Sequence, residues 1–259
     1  NKEEEGAKYR DYFAYSEKLS KCPSHRILAM LRGETENFLR VSIEPDVDEV
    51  MYRLERDILK DRNEAADQVK MALEDGYKRL IAPSIETEFR NLAKGIADEE
   101  AIEVFVKNLR QLLLAPPVGQ KRVMGLDPGF RSGCKLVVLD ASGDLQYHTA
   151  IYPHPPQSDE YGATHKILDL VKKYEIEAIA IGNGTAGRET MALCQKIKFP
   201  HSVQVFMVNE SGASIYSASA IAREEFPKED VTVRGSVSIA RRLMDPLAEL
   251  VKIDAKSIG

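Results

Sequence analysis

The chain has 259 residues, 43% hydrophobic and 30% charged, which suits one or two globular domains with real cores. No apolar run approaches the ~20 residues of a membrane span, and the start, Asn1-Lys2-Glu3-Glu4-Glu5, has no signal-peptide pattern, so a membrane partner is excluded and a cytoplasmic location is expected. The net charge of −5 lies in residues 1–120, with 19 basic and 24 acidic residues, while residues 121–259 hold 17 of each, so neither half is a polybasic nucleic-acid footprint.

Cys22, Cys134 and Cys194 are odd in number and far apart, which reads as reduced thiols and not as a zinc or disulfide framework. With no initiator Met, the chain reads as a fragment. Residues 1–115 predict a mostly helical region. Ser24 is placed as the N-cap of a helix over 26–33 and Gly33 as its stop. Phe38-Leu39-Arg40-Val41-Ser42-Ile43 alternates apolar and polar residues and predicts a short strand. Apolar positions at helical spacing follow from Asp46 to Leu80. Pro83-Ser84 is read as the start of a further helix, with Ile85, Phe89, Leu92, Ile96, Phe105, Leu109 and Leu112 as one core stripe. Pro116-Pro117 ends it, and Gly119-Gln120 completes a linker.

From residue 121 the period changes. Met124–Asp127, Leu136–Asp140 and Leu145–Tyr152 predict three short strands with turns at Gly133 and Ser142-Gly143, forming an antiparallel meander. Helices over 161–173, 189–198, 214–224 and 236–251 alternate with strands over 178–181 and 203–208. The expected fold is therefore a helical N-terminal domain followed by a mixed five-stranded sheet flanked by helices. In such open sheets, sites form beyond the carboxyl ends of strands. Asp127, Gly182-Asn183 and Asn209-Glu210 all stand at such ends.

Asp127 is an acid at the end of a buried strand, followed by the glycine-rich bend Pro128-Gly129 to Gly133. A buried carboxylate needs a partner or a metal, and this arrangement suits a divalent ion or a phosphate. The structural alternative is an Asx-turn cap on the bend. Gly182-Asn183-Gly184-Thr185-Ala186-Gly187 spells G-x-G-x-x-G, but it follows the fourth strand and is not preceded by a βαβ unit. That disfavours a dinucleotide site and leaves an open turn with Thr185 as helix N-cap and backbone N–H groups free for an anion. Glu210 is placed to face Asp127 across adjacent strands, and with Asp245 would complete an acidic set for a metal-dependent nuclease. Asp245 precedes Pro246 and equally suits a helix N-cap. None of the five histidines shows metal-ligand spacing, and His154, between Pro153 and Pro155, is expected on an exposed loop.

The runs Gly125-Leu126-Asp127-Pro128-Gly129, Ile151-Tyr152-Pro153-His154, Ile181 to Ala186 with Arg188-Glu189-Thr190, Val208-Asn209-Glu210 with Gly212-Ala213-Ser214, and Arg234 to Leu243 continuing to Ile253 resemble the Tex family of bacterial transcription accessory proteins. Pro23-Ser24-His25-Arg26 and Arg32-Gly33-Glu34 extend the resemblance into the helical half. It implies a Tex-type helical region over 1–118, a YqgF-type ribonuclease H-like domain over 119–240, and the truncated start of a helix-hairpin-helix region over 241–259. Family members continue into helix-hairpin-helix modules and an OB-fold RNA-binding domain. The resemblance therefore implies RNA or DNA as partner, bound mainly through regions beyond this chain, together with the transcription machinery. Asp127, Glu210 and Asp245 are the vestigial catalytic candidates, with Asp127 and Glu210 the holders of any Mg²⁺ or Mn²⁺. No cofactor is required by a scaffold. Gly182, Asn183, Gly184, Thr185, Arg188 and Arg131 are the candidates for nucleic-acid or phosphate contact. The incomplete acid set favours scaffolding over nuclease action, and a single unit is too small for an actin-like phosphotransferase.

Overall fold

The computed structural model describes residues 2–60 and 63–258, which divide into two compact units, 1–105 and 106–259. The first unit holds helices α1 (Lys2–Glu5), α2 (Ser24–Thr35), α3 (Val47–Ile58) and α4 (Glu64–Gly76), with a π-helical turn Tyr77–Ile81 leading into α5 (Ala82–Leu113). Five local expectations need correction. Pro23 stands at the N-cap of α2, and Ser24 is its first residue without a capping bond. Gly33 does not end α2 but is buried within it, because a Cβ there would meet Leu39 at 2.6 Å, and Asn37 supplies the left-handed residue beyond the helix (φ 63°). Pro83 does not start a helix, since α4 runs into α5 through the π turn immediately before it. A proline removes an N–H and clashes with the carbonyl four residues back; the widened turn gives that carbonyl room. Phe38–Ile43 forms no strand and pairs with none among the described residues; Phe38 lies in a bend. The α5 stripe is not core, either: Phe89, Leu92 and Ile96 are exposed, and only Ala93 and Ala97 on that helix are buried.

The second unit is built on the expected five-stranded mixed sheet. Strands β1 (Val123–Asp127), β2 (Cys134–Leu139) and β3 (Leu145–Ile151) form the antiparallel meander. Strands β4 (Ala178–Gly182) and β5 (Gln204–Val208) run parallel to β1, giving the order β3-β2-β1-β4-β5. The helices are α6 (Glu160–Tyr174), α7 (Gly187–Lys196), α8 (Ala213–Ala218), α9 (Ala220–Glu225), α10 (Val231–Met244) and α11 (Pro246–Leu250). Alternate residues of the central strands serve opposite faces. Met124, Leu126, Leu136, Ile179 and Ile181 pack with Ile167, Val171 and Cys194 of α6 and α7. Val123, Val137, Ala178 and Ala180 pack with Val233, Val237, Ile239 and Ala240 of α10. Both faces are covered, which is why these strands read as nearly continuous apolar runs.

Helix α10 was expected only from residue 236 and as one piece through 251. It begins at Val231, where Asp230 accepts hydrogen bonds from the N–H groups of Thr232 and Val233, and it stops at Met244. Asp245 precedes a proline and so leaves the helical region, and it caps α11 by accepting from Ala248 N–H at 3.0 Å. His154 is buried, not exposed. Its Nε2 lies 2.8 Å from Thr190 Oγ1 on α7, and its ring meets Phe130 edge-on at 6.0 Å. Burial lowers its pKa, favouring the neutral ring. The histidine thus pins the loop after β1 to the loop after β3.

Gly125 lets α10 seat closely. A Cβ there would come within 2.9 Å of Ala240 Cβ and Val137 Cγ2 and 2.8 Å of the Ser236 carbonyl oxygen. These are backbone and short, rigid side chains with little room to yield. Gly125→Ala should therefore destabilise the second unit by about 1–3 kcal/mol, read as a lowered midpoint in denaturant unfolding followed by far-UV circular dichroism. Unchanged stability would mean that α10 does not lie this close to β1.

Candidate functional site

The strand ends converge on one small cleft. Asp127 ends β1, Gly182 ends β4, and Glu210 follows β5. Asp127 and Glu210 do not stand on adjacent strands, as the sequence had suggested, because β4 lies between them. They meet because β4 ends in glycine: a Cβ on Gly182 or on Gly184 would overlap the Glu210 carboxylate. The glycines of the G-x-G-x-x-G run therefore make room for the protein's own acid, and the space expected for an external anion at Gly182 and Gly184 holds Glu210. Asn183 ties the two strand ends together. Its N–H donates to the Val208 carbonyl at 3.0 Å, and its side-chain oxygen accepts from Glu210 N–H at 3.1 Å. Thr185 is not the expected N-cap. Ala186, in the left-handed region (φ 62°), holds that position with no side-chain cap.

The cleft has a volume of about 370 Å³ and is lined by Asp127, Glu210, Ser214, Ser217, Thr232 and Gly235 among others. Burial pushes the Asp127 carboxyl up, and repulsion from Glu210 adds to this, while Lys135 partly opposes it; the result is a pKa of about 6. No hydrogen bond to the Asp127 carboxylate is present, so it does not cap the Pro128-Gly129 bend. Glu210 Oε2 is buried and has no hydrogen-bond partner. A missing partner on a buried charged oxygen costs free energy unless a cation supplies it.

Two buried arginines of α10, which the sequence reading quoted but assigned no role, hold the surrounding loops. Arg242 Nη1 donates to the carbonyls of Asn209 at 2.9 Å and Ser211 at 2.7 Å, bracketing Glu210. Arg234 donates to the Phe226 carbonyl through Nε at 3.1 Å and Nη2 at 2.9 Å. Arg234, between Val233 and Gly235, carries a signal in the sequence as a lone charge among apolar and small residues; Arg242, beside Arg241, does not.

Gly235 faces Asp127. A Cβ built on it would lie 3.9 Å from Asp127 Oδ2, so a side chain at 235 would enter the cleft, and here there is none. Asp245 does not join the acids, since it is exposed and caps α11. Arg131 and Arg188 are exposed, make no hydrogen bond or ion pair among the described residues, and do not line the cleft. Among the described residues, no group of three or more His, Cys, Asp or Glu side chains is placed to hold a metal. The unpartnered Glu210 oxygen and Asp127 suit one Mg²⁺ or Mn²⁺ whose remaining ligands are water or phosphate oxygens. They do not suit a two-ion cluster, which needs more protein ligands than two carboxylates.

The β3-β2-β1-β4-β5 order, with an acid at the end of the central strand and a helix crossing beside it, defines a ribonuclease H-like domain. The model of the Tex protein YqgF-like domain matches residues 121–244 and that of the Tex central region residues 1–105; the chain belongs to the Tex family. It is 48% identical to the protein YdcI of Bacillus subtilis over 97% of this chain and 35% of that protein. It is 44% identical to the transcriptional accessory protein Tex of Neisseria gonorrhoeae over 100% of this chain and 35% of that one. Human S1 RNA-binding domain-containing protein 1 is 39% identical over 97% of this chain and 26% of its own length. The chain thus spans about a third of the bacterial relatives it matches. Among solved structures, the yeast mitochondrial Holliday junction resolvase Ydc2 aligns at a TM-score of 0.35 and 13% identity, over 56% of this chain and 86% of that one.

The raised Asp127 pKa makes stability pH-dependent. The folded state holds this proton up to about pH 6, whereas the unfolded chain releases it near the ordinary value of 3.8. Asp127 therefore supports folding fully below about pH 4, and that support is lost as pH rises through 6. Asp127→Asn, measured by urea unfolding in EDTA, should stabilise the protein by about 1–2 kcal/mol at pH 8, discounted for partial solvent access. The gain should vanish near pH 3.5. A gain of equal size at both pH values would show that Asp127 is not strained by its ionisation.

Proposed function

We propose that this chain is part of a transcription accessory factor in which the ribonuclease H-like domain acts as a nucleic-acid-associated scaffold without efficient nuclease activity. The observation that carries the reading is Gly235. The helix beside Asp127 presents hydrogen where a third acid would complete a metal-binding set, and Glu210 leans back over the Gly182–Gly184 turn. What remains is a pair of acids, with Arg242 holding the loop carbonyls on either side of Glu210. The relatives named for transcription accessory function and for an S1 RNA-binding domain support the setting, and the balanced charge of residues 121–259 supports contact that is local and weak.

A second reading, a metal-dependent nuclease, draws on the unpartnered Glu210 oxygen, which a divalent ion would satisfy. Asp127 and Glu210 would hold that ion, and the ion would supply Lewis-acid stabilisation of a phosphodiester. Cleavage assays separate the two readings. With Mg²⁺ or Mn²⁺ and either a four-way junction or a single-stranded oligonucleotide, the parent and Asp127→Asn should give the same background. Metal-dependent cleavage in the parent that is lost in Asp127→Asn would overturn the scaffold reading.

The converse experiment rebuilds the site. The nearest atoms to a Cβ at 235 are 3.9 Å and 4.0 Å away, so an added side chain fits. Gly235→Asp should tighten Mn²⁺ binding by about tenfold or more, equivalent to about 1.4 kcal/mol, as titrated by calorimetry. No gain in a variant that folds normally would mean that position 235 is not the missing corner of the set.

A further inference from the structure

In the first unit, residues 39–44 have the composition of a strand but no strand beside them. Residues 39–44 form no helix or turn, and their burial alternates as in an extended chain: Arg40, Ser42 and Glu44 are exposed, while Val41 and Ile43 are half-buried. In an extended chain both backbone polar groups of a residue point to one side, and those of its neighbours to the other. One side of this segment is tied down by side chains. Val41 N–H donates to Glu34 Oε1 at 3.0 Å, and the Val41 carbonyl accepts from Arg90 Nη1 at 3.1 Å. Ile43 N–H donates to Glu86 Oε1 at 3.4 Å. Glu34 and Arg90 also form an ion pair, so the anchor is itself braced.

The other side is empty. Among the described residues, no hydrogen bond reaches the backbone N–H groups of Arg40, Ser42 or Glu44. Beside the segment lies a void of about 610 Å³, lined by it and by Leu19, Ile27 and Met30. Among the described residues, Lys18 and Arg40 at its rim are exposed and carry no ion pair, and Glu44 is the unpaired acid at the far end; the other lining acid, Glu17, is paired with Arg26. A rigid row of unpaired donors and acceptors, next to apolar floor and open space, is a template for an incoming strand.

We propose that residues 39–44 are a preformed β-edge that binds an extended polypeptide segment of a partner protein by strand addition. Main-chain hydrogen bonds to Arg40, Ser42 and Glu44 supply the affinity. Alternate apolar side chains enter the void, and an acidic residue opposite Lys18 and Arg40 sets the register. A nucleic acid fits this edge poorly, because its phosphates only accept hydrogen bonds and the 2′-hydroxyls of RNA do not alternate with acceptors at strand spacing. This inference is independent of the role assigned to the acidic cleft.

The test uses the 259-residue chain and the peptide acetyl-Val-Asp-Val-Thr-Val-Thr-amide, followed by amide NMR. At peptide concentrations up to about 1 mM, the Arg40, Ser42 and Glu44 amides should shift together and gain protection from hydrogen exchange. Ser42→Pro, which deletes one edge donor, should weaken binding at least tenfold. Two further peptides, each N-methylated on one alternate set of amides, keep the test decisive if Ser42→Pro fails to fold. One set should abolish binding and the other should be tolerated. Three outcomes would overturn the proposal: no shift at these amides, equal binding by both methylated peptides, or the same shifts produced by a single-stranded oligonucleotide.

Discussion

The second unit depends on the close seat of α10 on the sheet at Gly125. That contact sets the height of the whole helix above β1, and every feature of the cleft is placed by it. Gly235 comes opposite Asp127, Ile239 abuts the turn at Gly182, and Arg242 reaches the carbonyls on either side of Glu210. The helix is buried along nearly its full length from Val233 to Met244, including Arg234, Ser236, Ser238 and Arg242. A buried guanidinium is tolerable only where its desolvation is offset by hydrogen bonds. Arg242 meets that condition in part: its Nη1 binds two loop carbonyls and ties helix to loop, while its buried Nε has no partner among the described residues.

The acidic pair shows how a motif of one appearance can serve another physical end. Glycines in a strand-to-helix turn usually signal backbone approach to a phosphate. Here they admit the carboxylate of Glu210 from the next strand, and the turn's anion is internal. The pair is left mutually repelling, with Asp127 raised to a pKa of about 6. Such a site keeps the electrostatic strain of a metal centre while lacking the third acid that would turn the strain into tight metal binding. Scaffolding by this domain is consistent with that balance, and recovery of metal affinity through one position on α10 would be its clearest trace.

The first unit is organised differently. Its helices keep only Tyr9, Tyr77, Ala93, Ala97 and Gly33 well buried, and α5 shows Phe89, Leu92 and Ile96 to solvent. Strand-like residues 39–44 are held by Glu34, Glu86 and Arg90, so side chains stand in for the neighbouring strand along one edge. This surface leaves apolar and hydrogen-bonding capacity unused within the unit.

The change of period at residue 121, the five strands in order, the antiparallel meander and the acids at two strand ends are all legible in the amino-acid sequence. Each of these follows from a local rule: side-chain alternation, turn chemistry, or glycine spacing. The family resemblance was equally legible, because it rests on contiguous runs of residues. Only the tertiary structure decided that β4 separates Asp127 from Glu210, that Gly182 and Gly184 house Glu210, and that His154 is buried against Thr190. The same holds for the exposure of the α5 stripe and the solitude of Phe38–Ile43. Amphipathic spacing states that a face is available, but not whether this chain covers it, and β-alternation states that a strand is possible, but not that a neighbour exists. Those outcomes depend on contacts between residues distant in sequence, which no local period encodes.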